Sequence, residues 1–189
     1  MSNPFARAIR IVVEAADRGG FRAALIGGFA LDLHRVRRTT GDVDFLVEER
    51  GADPLIAELQ REGMRLLHRS DEVANLESSR PEIASVDLLF ARREPTLAML
   101  SRARTRRLAV DALAVPVVDV EGIIGLKAQA MCNDPRRRRR DEQDIVDLLG
   151  LWLPELDLAL LRGYFSLLEA DDDFERLLTE ARDQRARRG

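Results

Sequence analysis

The sequence predicts an α+β protein in which helices pack on a mixed β-sheet and a helical C-terminal part follows. Two observations predict this class. Up to residue 118, short apolar or alternating runs of strand length are interspersed with stretches of helical spacing. Beyond residue 119, every periodic stretch has helical spacing. Strands interspersed with helices favour layers around one sheet, so we expect an α/β core at 1–119 and a helical part at 120–189 packed on it.

Each element follows from its apolar spacing and its flanking residues. Apolar runs or strict alternation predict strands at 22–26, 43–47, 64–68 and 83–90. Helical spacing, with Gly, Pro or Asp near the ends, predicts helices at 4–18, about 29–36, 54–61, 95–101, 120–132 and 139–150, and two more that begin at Pro154 and near Asp172 or Asp173. The stretch 104–118 predicts a hairpin around Asp111-Ala112, although its turn lacks the usual glycine.

The composition excludes several classes of protein. A chain of 189 residues that is 46% hydrophobic can bury a core, so it is globular rather than disordered. No apolar run approaches the ~18–20 residues that span a bilayer, and Glu14 and Asp17 interrupt any signal-peptide core. The single cysteine, Cys132, excludes an intrachain disulfide, and with only two histidines it argues against zinc. We expect a cytoplasmic protein without a membrane partner.

Three aspartates form a candidate metal site. Asp42 and Asp44 are two residues apart on a predicted strand, so both carboxylates lie on one face while Val43 points into the core. Adjacent carboxylates repel each other, and a cation between them relieves the repulsion. Asp87 is a lone acid in an apolar strand, where it needs a partner or a metal. Carboxylate oxygens indicate a hard cation such as Mg²⁺.

A glycine turn precedes the acidic strand. Gly27 and Gly28 end one strand and begin a helix, where a backbone without Cβ can approach a phosphate and the first amides point at an anion. Arg37 and Arg38 follow and could approach a polyphosphate, and 39–41 make the turn into the acidic strand. Each feature alone is weak evidence for a functional site, but their order along the chain is far more specific.

That order resembles the nucleotidyltransferase superfamily with the DNA polymerase β-type fold. The matching segments are Ile26-Gly27-Gly28, a spacer of thirteen residues, Asp42-Val43-Asp44-Phe45 and Val86-Asp87-Leu88. Within the superfamily the chain is most similar to small bacterial abortive-infection (type IV toxin) nucleotidyltransferases. Arg38 and Thr40 match that branch, as do an apolar-Lys helix at 116–130 and an Asp-x-x-Asp helix at 140–149, matched through Asp144 and Asp147. The resemblance covers about residues 20–150.

The resemblance implies a reaction and roles for these residues. A nucleotidyl group would pass from an NTP to an acceptor hydroxyl with release of pyrophosphate, in the presence of Mg²⁺ or Mn²⁺. Asp42 and Asp44 would hold the nucleotide-bound ion, and with Asp87 they would hold a second ion near the acceptor. Asp87 could also act as general base. The implied nucleotide contacts come from Gly27, Gly28, Arg38, Thr40, Lys127 and Asp144.

Lys127 stands out in the composition. It is the one lysine among 30 basic residues, and every other one is arginine. A coding bias explains the arginines but not the remaining lysine. Lys127 shares a helix face with Ile123, and Asp144 is the predicted inward acid of the next helix, in preference to Asp147. Three alternatives stay open: Lys127 contacts phosphate as a catalytic residue, pairs with Asp144 to shape the nucleotide site, or forms a purely structural bridge.

Other functions remain as alternatives. The same fold could serve as a non-catalytic nucleotide- or RNA-binding module, and the run Arg136–Arg140 could bind RNA, although such a run is more often a solvated helix start. For an active enzyme the acceptor is open between tRNA, protein and a small molecule. The type IV resemblance adds a possible role as the toxin of a toxin–antitoxin pair, with an antitoxin partner. Apolar residues at 151–165 leave room for a homo-oligomer.

Overall fold

The computed structural model describes residues 3–108 and 112–188, which form a seven-stranded mixed sheet and eight α-helices. The strands are β1 (Ala23–Leu25), β2 (Asp42–Glu48), β3 (Met64–Arg69), β4 (Val73–Ser78), β5 (Ser85–Ala91), β6 (Arg104–Arg107) and β7 (Ala114–Val117). The helices are α1 (Pro4–Gly19), α2 (Gly27–Leu33), α3 (Ala52–Arg61), α4 (Glu94–Arg102), α5 (Val120–Asn133), α6 (Arg138–Trp152), α7 (Leu158–Ser166) and α8 (Asp171–Arg188). A short 3₁₀ turn, Glu49–Gly51, links β2 to α3. No helix of the described part is long and apolar enough to cross a membrane.

The strand order is β3-β4-β5-β2-β1-β7-β6. Strand β2 runs parallel to β5, and β1 runs parallel to β7, while the other neighbours are antiparallel. Val43, Phe45 and Val47 of β2 are completely buried, as alternation in a central strand requires. This sheet with its helices confirms the predicted fold class.

Two compact units make up the chain. The first comprises Met1–Leu33 and Arg37–Asp119, and it holds the whole sheet with α1 to α4. The second comprises His34–Val36 and Val120–Gly189. Within the second unit, Trp152 Nε1 donates a hydrogen bond to the carbonyl oxygen of His34 at 3.0 Å, and the Arg35 guanidinium lies over the Trp152 ring. These contacts tie the short segment 34–36 to the end of α6.

Local signals explain most element ends. Asn3 accepts hydrogen bonds from the N–H groups of Phe5 and Ala6, so it caps α1. Helix α1 ends where Gly20 takes a left-handed φ of 64°. Asp157 caps α7 in the same way as Asn3 caps α1, because its Oδ1 accepts from two backbone N–H groups at 3.0 Å.

The structure corrects several predicted boundaries. Helix α2 begins at Gly27 and ends at Leu33, earlier than the predicted 29–36. Helix α7 begins after its Asp157 cap and not at Pro154. Asp172 and Asp173 lie inside the first turn of α8 and not before it. The predicted hairpin at 104–118 forms as β6 and β7, while Asp111 of its predicted turn lies outside the described residues.

Candidate functional site

Strands β2 and β5 bring two of the three predicted acids side by side. In their parallel register Asp44 pairs with Asp87, and Asp42 pairs with Ser85. Adjacent strands lie about 4.8 Å apart, and register partners point to the same face. Asp42, Asp44 and Asp87 are all half-buried. The three acids therefore share one face of the sheet at the centre of the first unit.

Gly27 lies directly against the second of these carboxylates. Its φ is +62°, and a Cβ at this position would lie 2.0 Å from Asp44 Oδ2. The neighbouring Ile26 N–H donates a hydrogen bond to the Asp44 carbonyl oxygen at 2.9 Å. Only glycine can combine this backbone conformation with this contact. The turn between β1 and α2 is therefore built around Asp44.

Gly28 has a parallel role toward the first carboxylate. A Cβ on Gly28 would lie 2.8 Å from Thr40 Cβ. Thr40 Oγ1 lies 2.8 Å from Asp42 Oδ1 and 3.1 Å from the Asp42 carbonyl oxygen, and it can donate to either. Thr40 thus fixes Asp42, and Gly28 makes room for Thr40. Arg38, half-buried, lies just before this turn. Whether these residues contact a nucleotide stays a prediction.

Asn75, which was not among the predicted site residues, contacts the third carboxylate. Asn75 stands opposite Asp87 in the antiparallel pair of β4 and β5, and its Nδ2 donates to Asp87 Oδ1 at 2.7 Å. It was missed because β4 itself was not predicted. The available signal was the alternation of Ala74 and Leu76, both buried, with polar neighbours.

The donor set suits a hard divalent cation. Carboxylate oxygens on neighbouring strands are the ligands that Mg²⁺ takes in proteins, usually with only one or two from the protein. The missing Cβ of Gly27 leaves room for the Asp44 carboxylate beside the turn between β1 and α2. Within residues 3–108 and 112–188, no three His, Cys, Asp or Glu side chains are gathered as a complete metal-ligand set. The residues therefore fit the ion by donor type and by shared face.

Lys127 forms a buried ionic triad in the second unit. Its Nζ lies 2.7 Å from Asp141 Oδ1 on α6 and 2.8 Å from Asp144 Oδ2. The Lys127 side chain is 12% exposed and both carboxylates are wholly buried. Asp144 is thus an inward acid and Asp147 is more exposed. The Asp-x-x-Asp pair that faces inward is Asp141 and Asp144. The predicted pair was Asp144 and Asp147, so Asp141 was not predicted.

The triad holds more negative than positive charge. Two carboxylates face one ammonium, and Asp141 Oδ2 has no hydrogen-bond partner among the described residues. The half-exposed Arg137 adds a second cation, with its Nε 3.6 Å from that oxygen. A compact ammonium can bond two carboxylates at once, which a planar guanidinium does with different geometry. The contact of Lys127 with Asp144 is expected both if Lys127 shapes the nucleotide site and if it forms a purely structural bridge. A catalytic role of Lys127 stays a prediction.

Solved structures of nucleotidyltransferases share the path of this chain. The antibiotic-resistance factor ANT(2'')-Ia aligns over 96% of this chain and 92% of its own, with a TM-score of 0.52 at 17% identity. An antigenic nucleotidyltransferase-like protein from Paracoccidioides brasiliensis aligns over 94% and 93%, with a TM-score of 0.55 at 18% identity. The lincosamide antibiotic adenylyltransferase LnuA aligns over 79% and 99%, with a TM-score of 0.51 at 13% identity.

This chain has the nucleotidyltransferase fold. The fold predicted from the resemblance is thereby confirmed, and the similarity to the type IV toxins stays a prediction. No protein-family model and no curated protein matches the sequence. At such low identities the likeness concerns the fold alone.

On this nucleotidyltransferase fold the arginine run is largely neutralised within the second unit. Arg136 pairs with Asp134, Arg137 with Asp141, and Arg138 with acids on α6 and α8. Arg139 and Arg140 are exposed, and the structure pairs neither with an acid of the described residues. Most of the run therefore serves intramolecular ion pairs, which removes much of the charge that an RNA-binding role would use.

Proposed function

We propose that this chain is a metal-dependent nucleotidyltransferase, which moves a nucleotidyl group from an NTP to an acceptor hydroxyl. One observation carries the proposal. Asp44 and Asp87 are register partners on parallel strands, and the Gly27 turn is packed against the Asp44 carboxylate. A glycine turn beside paired carboxylates supplies what phosphoryl transfer needs, namely close backbone approach and donors for a cation.

The proposed reaction exchanges one phosphorus–oxygen bond for another. The acceptor hydroxyl oxygen bonds to the α-phosphorus, while the bond from that phosphorus to the pyrophosphate oxygen breaks and pyrophosphate leaves. Asp87 takes the hydroxyl proton as general base, held by the amide of Asn75. Asp42, Asp44 and Asp87 would hold Mg²⁺ or Mn²⁺, which when bound neutralises charge on the phosphate oxygens. Thr40 keeps Asp42 oriented.

The remaining predicted site residues would bind the nucleotide. Gly27, Gly28, Arg38 and Thr40 would lie along the triphosphate. Lys127 would contribute a cation, with Asp144 orienting its ammonium. The two buried acids fix the position of the Lys127 ammonium, as a residue that shapes the nucleotide site requires.

The direct test is labelling. The purified chain would be incubated with each α-³²P-labelled NTP and Mg²⁺, in the presence of total tRNA, cell protein or hydroxylated antibiotics. We expect label on one acceptor class with the native chain and none with Asp44→Asn. Asp32→Asn, a change to an exposed acid on α2, serves as the matched control and should retain activity. No transfer and no NTP binding by calorimetry with Mg²⁺ would refute the proposal, whereas binding without transfer would support the non-catalytic module.

The acceptor is the finer part of the proposal. ANT(2'')-Ia is an antibiotic-resistance factor solved in complex with adenylyl-2''-tobramycin, and LnuA is a lincosamide antibiotic adenylyltransferase solved with lincomycin, so tobramycin and lincomycin belong in the first panel. Transfer to tRNA or protein would instead favour the toxin of a toxin–antitoxin pair. Induced expression in bacterial cells would then arrest growth with the native chain and not with Asp44→Asn. As part of this proposal, the toxin would bind an antitoxin partner, and the chain would form a homo-oligomer.

A further inference from the structure

Strand β6 closes one edge of the sheet and carries three arginines. Its four residues, Arg104–Arg107, are all exposed, and its one neighbour in the sheet is β7. Arg104 and Arg106 lie on one face, with Thr105 and Arg107 on the other, because strand side chains alternate. The edge therefore presents positive charge on both faces.

The hydrogen-bond ladder shows which backbone groups of β6 face outward. The N–H of Leu108 donates to the Leu113 carbonyl oxygen at 2.9 Å, in continuous register with the β6–β7 pairs. Antiparallel pairs alternate between bonded and non-bonded, so Arg104 and Arg106 direct their backbone groups toward β7. Thr105 and Arg107 direct theirs away from it. Thr105 stands opposite Pro116, which has no N–H to offer, as this alternation requires.

The charge on this edge is not neutralised by the described part of the chain. No acidic side chain among residues 3–108 and 112–188 pairs with Arg104, Arg106 or Arg107. The opposite edge strand, β3, differs: Arg65 pairs with Glu77 at 2.6 Å, and Arg69 pairs with Asp53. The arginines of β3 are therefore paired with acids, whereas those of β6 are not paired within the described part of the chain.

We propose that the β6 edge is a docking surface for an extended acidic segment of a partner protein, added as a further strand. The outward N–H and C=O groups of Thr105 and Arg107 would bond to the backbone of that segment. Carboxylates at alternate positions would all lie on one face of that segment, where they would meet Arg104 and Arg106. A second copy of this chain does not fit, since its β6 would set arginine against arginine. Charge also protects edges from self-pairing, and that role is compatible with selective docking.

The test uses a fluorescein-labelled peptide in which Glu alternates with Val and Thr, and the full chain. We expect saturable binding that weakens at least about tenfold, some 1.4 kcal/mol, when alternate amides of the peptide are N-methylated. This change keeps every charge and removes the ladder. The variant Arg104→Glu/Arg106→Glu should weaken binding by a similar factor. Arg65→Glu/Arg69→Glu on the opposite edge makes the same charge change and should leave the affinity unaltered.

Amide hydrogen exchange supplies an independent measure. On saturation with the peptide, the amides of Thr105 and Arg107 should gain protection, while those of Arg104 and Arg106, already bonded to β7, should not change. No binding at about 1 mM peptide would overturn the proposal. Equal binding of the N-methylated peptide, or of an oligouridylate RNA, would also overturn it and indicate a nucleic-acid surface instead. Asp44→Asn should bind the peptide normally, so this result is separate from the proposed catalysis.

Discussion

At the scale of single residues, Gly27 tests the site most directly. Gly27→Ala forces a Cβ to within 2.0 Å of Asp44 Oδ2 at a φ of +62°. We expect loss of nucleotidyl transfer and a fall in the free energy of unfolding larger than the ~1–2 kcal/mol of left-handed strain alone. Urea unfolding and the labelling assay measure both.

Two other glycines separate the effect of backbone strain from the effect of the steric clash with Asp44. Gly20 has a φ of +64° with open space around it, so Gly20→Ala reports the backbone strain without a clash. Gly41 has open space and no left-handed φ, so Gly41→Ala should be almost neutral. Equal effects at positions 20 and 27 would mean that the contact with Asp44 has no energetic consequence.

Lys127 offers a second prediction at this scale. Lys127→Ala leaves Asp141 and Asp144 buried without their ammonium, which should cost about 3–5 kcal/mol in urea unfolding. Lys127→Arg should impair activity nearly as much as Lys127→Ala, because a planar guanidinium cannot reproduce the geometry with which the compact ammonium contacts both carboxylates. Full activity of Lys127→Arg would make the lone lysine an accident of composition.

A triple variant distinguishes the open roles of Lys127. Lys127→Met with Asp141→Leu and Asp144→Leu removes all three charges and leaves no unpaired polar side chain, so stability should largely return. If activity returns as well, the triad is a structural bridge. If the variant is stable but does not bind NTP, the ammonium acts on the nucleotide.

At the scale of elements, β4 supports the site through Asn75. Asn75→Ala removes the donor that holds Asp87 Oδ1, and we expect kcat to fall about tenfold with KM nearly constant. Asn75→Asp should be worse, since it sets a second carboxylate against Asp87. Glu77→Gln, an exposed change on the same strand, is the control. A raised KM with unchanged kcat would assign Asn75 to substrate binding instead.

The ion-pair network between α6 and α8 gives a pH prediction. Partial burial opposes ionisation of Asp173, but hydrogen bonds from Arg138 and Arg176 outweigh it and hold the pKa of Asp173 below its usual range. Its stabilising effect is therefore complete above the unfolded-state value near 4 and is lost as the pH falls through the lower folded-state value. The native chain should exceed Asp173→Asn in unfolding free energy at pH 7, and the difference should shrink by pH 3.

The neighbouring position provides the control for this measurement. Asp172 is exposed, and Asp172→Asn should show no comparable difference at any pH. A difference for Asp173→Asn that stays constant with pH would mean that packing, and not charge, carries the contribution of Asp173.

The elements also show where sequence reasoning works in this protein. Strand β2 was predictable because Val43 and Phe45 alternate with two acids, which fixes both the strand and the face of the carboxylates. Strand β4 was not, because its buried face holds only Ala74 and Leu76. Asp141 was missed for a different reason. Acids three residues apart repeat along α6, and spacing alone does not fix which of them face inward.

At the scale of the whole molecule, the fold is conserved in outline where sequence likeness is low. Nucleotidyltransferases only 13–18% identical to this chain share its path with TM-scores of 0.51–0.55. Buried apolar alternation is satisfied by many residues, so the sheet needs no particular sequence. The positions of Gly27 and of the paired acids Asp44 and Asp87 tolerate far fewer residue types. These few residues could therefore predict the fold when overall sequence identity could not.

Metal removal provides a test at this same scale. The core is apolar and the three acids lie only half-buried on the sheet, so we expect the chain to fold without the proposed ion. EDTA should abolish nucleotidyl transfer and leave the far-ultraviolet circular dichroism spectrum unchanged, and added Mg²⁺ or Mn²⁺ should restore the activity. Because a ligand that binds only the folded state stabilises it, Mg²⁺ with an NTP should raise the melting temperature of the native chain. The same addition should leave Asp42→Asn/Asp44→Asn unchanged, and an equal rise in that variant would show that the ion is held elsewhere.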